Sequence, residues 1–166
     1  MLYIYPEGDT SKLLKGELTI DPSYPVIVGY IRTGKRTPRS PKTIEKQRES
    51  IISCCRNRFE TGCHLFFVED IGRSGVAPYS RSDESGVRNS REGLGLLMQL
   101  VENDLVNYIC VANMTRLSRS LRQFFEIEEV IKGHGVRLLS AGANELWGES
   151  AASRLIQVFR MAKSME

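Results

Sequence analysis

Val26-Ile27-Val28-Gly29-Tyr30-Ile31-Arg32 carries one charge, at its last position. A near-continuous apolar run of this length fits a strand covered on both faces, since neither side of it has to meet water. Leu65-Phe66-Phe67-Val68, the stretch from Leu105 to Val111, and Val136-Arg137-Leu138-Leu139 repeat the pattern. Apolar residues at helical spacing separate these runs. Ile44, Ile51, Ile52, Cys55 and Phe59 predict a helix from Ser40 to about Glu60, with Ser40 as its cap and Pro41 in its first turn. Leu94, Leu97, Met98, Leu100 and Val101 predict another, opening near Arg91. A third contains Phe124, Phe125, Ile127, Glu128 and Ile131 and stops at Gly133-His134-Gly135. A last helix, from Ser150 to Met165, turns Leu155, Ile156, Phe159 and Met161 toward a partner. Strand and helix alternate four times, which predicts an α/β domain with a mostly parallel central sheet and helices on both faces.

The chain has 166 residues, 41% of them apolar and 26% charged, as expected of one globular domain with a real core. Residues 1–25 read separately, as an arm or hairpin. Leu2-Tyr3-Ile4-Tyr5 and the alternating Glu17-Leu18-Thr19-Ile20 form its two strands, and Asp21-Pro22-Ser23-Tyr24-Pro25 is a linker. The domain proper is residues 26–166. Cys54, Cys55, Cys63 and Cys110 lack metal-ligand spacing and read as free thiols in a reducing compartment. His64 and His134 are the only histidines, which argues against histidine-based catalysis. No apolar run is long enough to span a bilayer, and a cytoplasmic location is expected.

Net charge is only +3, so clustering carries the information. From Val26 to Glu60 there are nine Lys or Arg against three Asp or Glu. In parallel sheets, ligands sit at the carboxyl ends of the strands. Three charged groups are expected there: Arg32 to Arg39, Glu69-Asp70 with the long Gly72–Ser90 connection, and Arg116 with Arg119 in Thr115-Arg116-Leu117-Ser118-Arg119-Ser120. That connection is too long and polar for an ordinary turn, and reads as functional or disordered. If Leu117 begins a helical turn, Arg116 and Arg119 share a face and make a fork for phosphate or carboxylate. Such an arginine-rich edge suits phosphodiester chemistry better than hydride or acyl transfer. An adjacent Glu-Asp pair on a strand points its side chains to opposite faces, which argues against a two-metal nuclease. Neither a metal nor a cofactor is expected. A nucleotide-binding flavodoxin-like domain would carry a glycine-rich first loop rather than one packed with Lys and Arg.

Gly29-Tyr30-Ile31-Arg32, Ile44-Glu45-Lys46-Gln47, Glu69-Asp70-Ile71-Gly72-Arg73-Ser74-Gly75, Arg91-Glu92-Gly93-Leu94 and Thr115 to Ser120, in that order, resemble the catalytic domain of the serine recombinases, which include resolvases, invertases and large serine integrases. The resemblance covers roughly residues 26–166. It implies a resolvase-like fold ending in a long dimerisation helix, site-specific DNA recombination, DNA as partner, and dimers that become tetramers in synapsis. In that family a serine attacks a scissile phosphate and holds the cut end as a phosphoserine. The resemblance assigns phosphate-binding roles to Arg32, Arg91, Arg116 and Arg119 and supporting roles to Gln47 and Asp70. Tyr30 falls at the family's aromatic position, and Lys35, Arg36 and Arg73 are expected along the DNA. Leu155, Val158 and Phe159, with Arg154 and Ala162, would face a second copy, and Glu166 fits an acidic position on the same helix. The sequence stops within that helix by this reading, so the family's DNA-reading region is expected outside it.

Two positions depart from the pattern. The nucleophile slot holds Gly34, and Thr115 stands where the family has aspartate. Glycine has no side chain and cannot form a phosphoester, whatever field surrounds it. Three explanations follow: a deliberate serine-to-glycine substitution, a natural inactive relative that binds DNA or pairs with an active partner, or a shifted loop in which Thr33 or Thr37 supplies the hydroxyl. The rival to an enzyme is therefore an assembly or regulatory module with the same fold.

Overall fold

The computed structural model describes residues 1–34, 40–75, 79 and 91–165. One six-stranded sheet runs through the chain in the order β1-β3-β2-β4-β5-β6. Its strands are β1 (Leu2–Ile4), β2 (Val26–Arg32), β3 (Cys63–Asp70), β4 (Tyr108–Val111), β5 (Arg137–Ser140) and β6 (Glu145–Leu146). Every pairing is parallel except β5 with β6. The helices are α1 (Asp9–Leu14), α2 (Ser40–Arg58), α3 (Glu92–Glu102), α4 (Met114–Leu117), α5 (Leu121–Gly133) and α6 (Ala151–Ser164).

All seven residues of β2 are buried, as the opening run requires. Its side chains alternate between two cores. Val26, Val28 and Tyr30 join Leu94, Leu97, Phe124 and Ile127 on one face. Ile27 and Ile31 join Ile51 and Cys55 of α2 on the other. Gly29 lies on the α2 side, where an added Cβ would stand 2.8 Å from the Phe67 ring and 3.0 Å from Ile51 Cγ2. The helix therefore approaches the central strand at the one position with no side chain. The four cysteines are free, buried and part of this α2-side core.

The expected N-terminal hairpin does not form. Leu2–Ile4 pairs in parallel with Cys63–Leu65 and extends the main sheet. Asp9–Leu14 is helical, with Leu13 buried and the Thr10 hydroxyl donating to Phe67 O at 3.1 Å. Glu17–Ile20 adopts no regular structure, and Leu18 and Ile20 pack against the core. A strand that pairs in parallel with β3 needs no return partner, so the alternation at 17–20 had no ladder to join.

The third strand begins at Tyr108 rather than Leu105, because the end of α3 uses the intervening residues. Asp104 adopts φ 56, and Leu105 N donates back to Leu100 O at 3.1 Å, a Schellman-type stop with aspartate in glycine's usual place. The other expected stop holds: Gly135 has φ 70, and Val136 N donates to Ile131 O at 2.9 Å. No helix among the described residues is long and apolar enough to cross a membrane.

Helix α6 has Ser150 as its N-cap, and that hydroxyl accepts from Ser153 N at 3.1 Å. Met161, expected to face outward, is buried in the molecule's own core together with Gln157. Leu155, Ile156 and Phe159 are exposed and Val158 is half-buried. Arg154 turns inward to Glu128 of α5, donating from Nε at 3.0 Å and Nη2 at 2.6 Å. Trp147 Nε1 donates to the same carboxylate. Burial works against ionisation of Glu128, but donation from Arg154 and Trp147 outweighs it and holds the pKa below the ordinary glutamate value of 4.5. A depressed carboxylate pKa stabilises the fold at neutral pH, and the contribution is lost as pH falls through the folded-state pKa. Glu128→Gln is therefore expected to cost about 1–3 kcal/mol at neutral pH. The gap to wild type should close as pH drops below 4.5, as read from urea midpoints. A gap that does not change with pH would rule out the ionic account.

Candidate functional site

The carboxyl end of β2 is where the charged side chains meet. Arg32, its last residue, is only 2% exposed. Its Nε donates to Arg116 O at 2.8 Å, its Nη2 to Thr115 O at 2.8 Å and its Nη1 to Arg73 O at 3.1 Å. Strand β4 pairs with β2 only as far as Tyr30, so the Arg32 backbone needs another partner. Gln47 of α2 supplies it, accepting from Arg32 N at 3.3 Å and donating to Arg32 O at 3.0 Å. Burial, with the neighbouring Arg91 charge, brings the Arg32 guanidinium down to about 10, so it remains charged at neutral pH.

Beneath it runs a buried polar chain. Asp70 accepts from Tyr30 Oη at 2.5 Å and from the backbone N–H of Gly93 and Leu94 at 2.8 and 2.9 Å, capping α3 from another element. The Tyr30 hydroxyl accepts in turn from Arg91 Nε at 3.1 Å and Nη2 at 2.8 Å. Burial raises the Tyr30 pKa, so it stays a neutral phenol between carboxylate and guanidinium. Arg91, fully buried, also donates to Leu117 O, to Gly75 O at 3.3 Å and to Gln123 Oε1 at 3.1 Å. Gly93 explains the Arg91-Glu92-Gly93-Leu94 spacing, since an added Cβ would lie 2.7 Å from Glu69 O. Glu69 and Asp70 do point to opposite faces: Glu69 pairs with Arg48 of α2, while Asp70 faces α3.

Arg116 and Arg119 are arranged differently from the expectation. The helical turn ends at Leu117 instead of starting there, and Ser118 is extended at φ −157 and ψ 148. The Ser118 hydroxyl is buried, bonding Gln123 Oε1 at 2.8 Å and Ser120 O at 3.0 Å. Arg116 Nη1 donates to Arg32 O at 3.2 Å, and its buried Nε has no partner. Burial and the Arg119 charge lower its pKa. Arg119 N donates to Gly75 O at 2.9 Å, and its exposed guanidinium makes no hydrogen bond among the described residues. A Cβ on Gly75 would lie 2.8 Å from Arg119 Cγ and 2.9 Å from Arg32 Nη2, so Gly75 marks the point where these two arginines converge. Arg32, Arg91, Arg116 and Arg119 thus occupy one rim.

Gly34 lies two residues beyond Arg32 and is exposed, and an added Cβ would meet nothing within 4 Å. Thr33 is buried, and its hydroxyl accepts from Gly72 N at 3.1 Å. Arg73 contributes its carbonyl to Arg32. Thr37, Lys35, Arg36 and Glu166 lie outside the described residues, as does most of the Gly72–Ser90 connection. No three His, Cys, Asp or Glu side chains among the described residues form a metal set. Gln123 went unread in the sequence. The available signal was Ser120-x-x-Gln123, a capping-box spacing. Ser120 does accept from Gln123 N at 3.3 Å, but the Gln123 side chain turns to Arg91 instead of closing the box.

Residues 27–166 match the model of the resolvase N-terminal domain. The chain belongs to that family, the serine recombinase catalytic domains. Its fold is shared with the N-terminal catalytic domain of TP901-1 integrase, at 18% identity and a TM-score of 0.59 over 84% of this chain and 93% of that one. It is shared also with a resolvase family site-specific recombinase from Streptococcus pneumoniae, at 13% identity and a TM-score of 0.61 over 84% and 87%. A third similar structure is the C-terminal catalytic domain of ISC1926 TnpA, an IS607-like serine recombinase, at 21% identity and a TM-score of 0.53 over 81% and 77%. No curated protein sequence matches significantly.

The hydrogen-bonding separates holding arginines from free ones. Tyr30→Phe leaves Arg91 short of an acceptor and should cost about 1–3 kcal/mol in urea unfolding. Arg119→Ala, at an exposed side chain whose guanidinium has no partner among the described residues, should stay within about 0.5 kcal/mol of wild type. Equal losses would contradict this division.

Proposed function

We propose that the rim binds a backbone phosphate of DNA. Arg116 and Arg119 are the donors that meet it, because Arg116 Nε and the Arg119 guanidinium have no partner of their own among the described residues. Arg32, Arg91, Gln47 and Asp70 hold those donors in place through the backbone of the rim. Guanidiniums suit this task because they offer paired donors and stay charged at neutral pH. In strand cleavage of the family's kind, a serine oxygen forms a bond to phosphorus while the bond to the leaving sugar oxygen breaks. The negative charge gathering on the phosphoryl oxygens is then spread over the arginines. Gly34 stands in the serine's position, so this chain binds without cleaving and acts as a DNA-binding or assembly module.

The observation that carries the reading is the open space at Gly34. Its φ lies outside the left-handed range, and no described atom would obstruct a side chain there. A serine fits without rebuilding the rim. Gly34→Ser, in a chimera with a DNA-reading domain of known target fused after α6, should form a covalent protein–DNA adduct on supercoiled substrate. The unsubstituted chimera should form none, and Arg116→Ala added to Gly34→Ser should abolish the adduct. If serine at position 34 gives no adduct, Gly34 does not replace the nucleophile.

The exposed apolar face of α6 supports self-association. Leu155 and Phe159 are one helical turn apart, Ile156 adjoins them, and Phe159 is 69% exposed. We place a second copy against this face. Phe159→Glu should shift sedimentation toward monomer at a given concentration, with the thermal midpoint little changed. An unchanged association state would exclude α6 as the interface.

A further inference from the structure

A cavity of about 430 Å³ opens at the carboxyl ends of β4 and β5, between α4 and α6. Small-ligand sites fall in the range of about 300–1,000 Å³. Its lining includes the thioethers of Met114 and Met161, both largely buried, and Trp147. Trp147 Nε1–H is already committed to Glu128, and its ring packs edge-on against Phe124 at 4.8 Å between centroids. Soft sulfur and an indole favour a flat aromatic ring over a sugar or a flexible polar chain.

The polar groups give the ring its chemistry. Ser140, the last residue of β5, is only 6% exposed, yet its hydroxyl has no hydrogen-bond partner among the described residues. With no protein group to satisfy it, that hydroxyl is open to a donor or acceptor on a ligand in the cavity. Gln157, by contrast, is fully engaged, accepting from Gly148 N at 2.8 Å and donating to Leu146 O at 2.9 Å. At the mouth, the exposed Asn113 accepts from Thr115 Oγ1 through Oδ1, and its amide N–H groups have no partner among the described residues. Arg160 reaches Glu145 through Nη1 at 3.0 Å, and its other guanidinium donors have no partner among the described residues. The cavity therefore presents an apolar interior with one inward hydroxyl, a free amide, and a guanidinium at the opening. A purely aliphatic ligand would leave the Ser140 hydroxyl and the Asn113 amide desolvated without partners.

We propose that this cavity binds a free nucleoside monophosphate, with the base inward against Met114, Met161 and Trp147, the Ser140 hydroxyl on its polar edge, and the phosphate at Arg160. The site is separate from the arginine rim but shares a wall with it. Thr115 lines the cavity, and its carbonyl accepts from Arg32 Nη2 at 2.8 Å. A ligand that presses on α4 therefore presses on the segment that carries Arg116.

The test needs no DNA, so it stands or falls apart from the reading of Gly34. Trp147 is the chain's only tryptophan, and its emission reports the cavity directly. Titration with adenosine monophosphate, excited beyond the nucleotide's absorption, should give a saturable change. Adenosine should bind more weakly, and inorganic phosphate alone should leave the emission unchanged. Ser140→Val should weaken nucleotide binding about tenfold. Arg160→Gln should reduce the affinity for the monophosphate to that for adenosine. Should Ser140→Val fail to fold, Asn113→Leu on the exposed rim takes its place, with a loss of similar size. Absence of a saturable change, binding unaltered by these substitutions, or an equal response to inorganic phosphate would overturn the proposal.

Discussion

A fully buried arginine organises the carboxyl edge of this sheet. Arg91 sits at the start of α3 with no exposure to water, and such a charge is tolerated only when acceptors surround it. Tyr30 on β2, the carbonyls of Gly75 and Leu117, and Gln123 on α5 provide them. Through Tyr30 the charge reaches Asp70 on β3, whose remaining capacity caps α3. Five segments distant in sequence are therefore tied to one guanidinium. No one of them can shift without leaving a buried polar group unmatched.

That constraint divides the arginines into two kinds. Arg32 and Arg91 are immobilised by carbonyls and act as braces for the turn between β4 and α5. Arg116 and Arg119, on that turn, keep donors that have no partner among the described residues. Several like charges held this close disfavour one another, and the lowered values at Arg32 and Arg116 express burial together with that repulsion. The rim thus concentrates positive charge at the carboxyl edge of the sheet. Glycines make the assembly possible by admitting close approach: Gly75 between Arg32 and Arg119, and Gly93 against the β3 backbone.

The opposite end of the carboxyl edge is built on a different ion pair. Glu128, Arg154 and Trp147 fasten α6 to α5 and set which side of α6 turns outward. Gln157 and Met161 then fall inside, and Leu155, Ile156 and Phe159 outside. The same fastening leaves the space between α4 and α6 that Met161, Trp147 and Ser140 line. The exposed face and the cavity are thus two consequences of how one helix is held.

The strands, the central helices and the parallel order were legible because they rest on local regularities: apolar runs of strand length, stripes at helical spacing, and the stop at Gly133-His134-Gly135. The motifs that mark the family were legible for the same reason, as was the missing side chain at Gly34. The N-terminal segment was misread because a three-residue strand and a two-turn helix carry too little pattern to outweigh the alternation at Glu17–Ile20. Nor could periodicity show that Arg32 and Arg91 would be consumed by main-chain carbonyls, that Ser118 would break the expected turn, or that Met161 would face inward. Those outcomes depend on which backbone groups are left without partners once the sheet closes, and a backbone group's need for a partner leaves no trace in the residue that will satisfy it. The amino-acid sequence by itself determined which groups could bind an anion, and only the tertiary structure decided which of them remained free to do so.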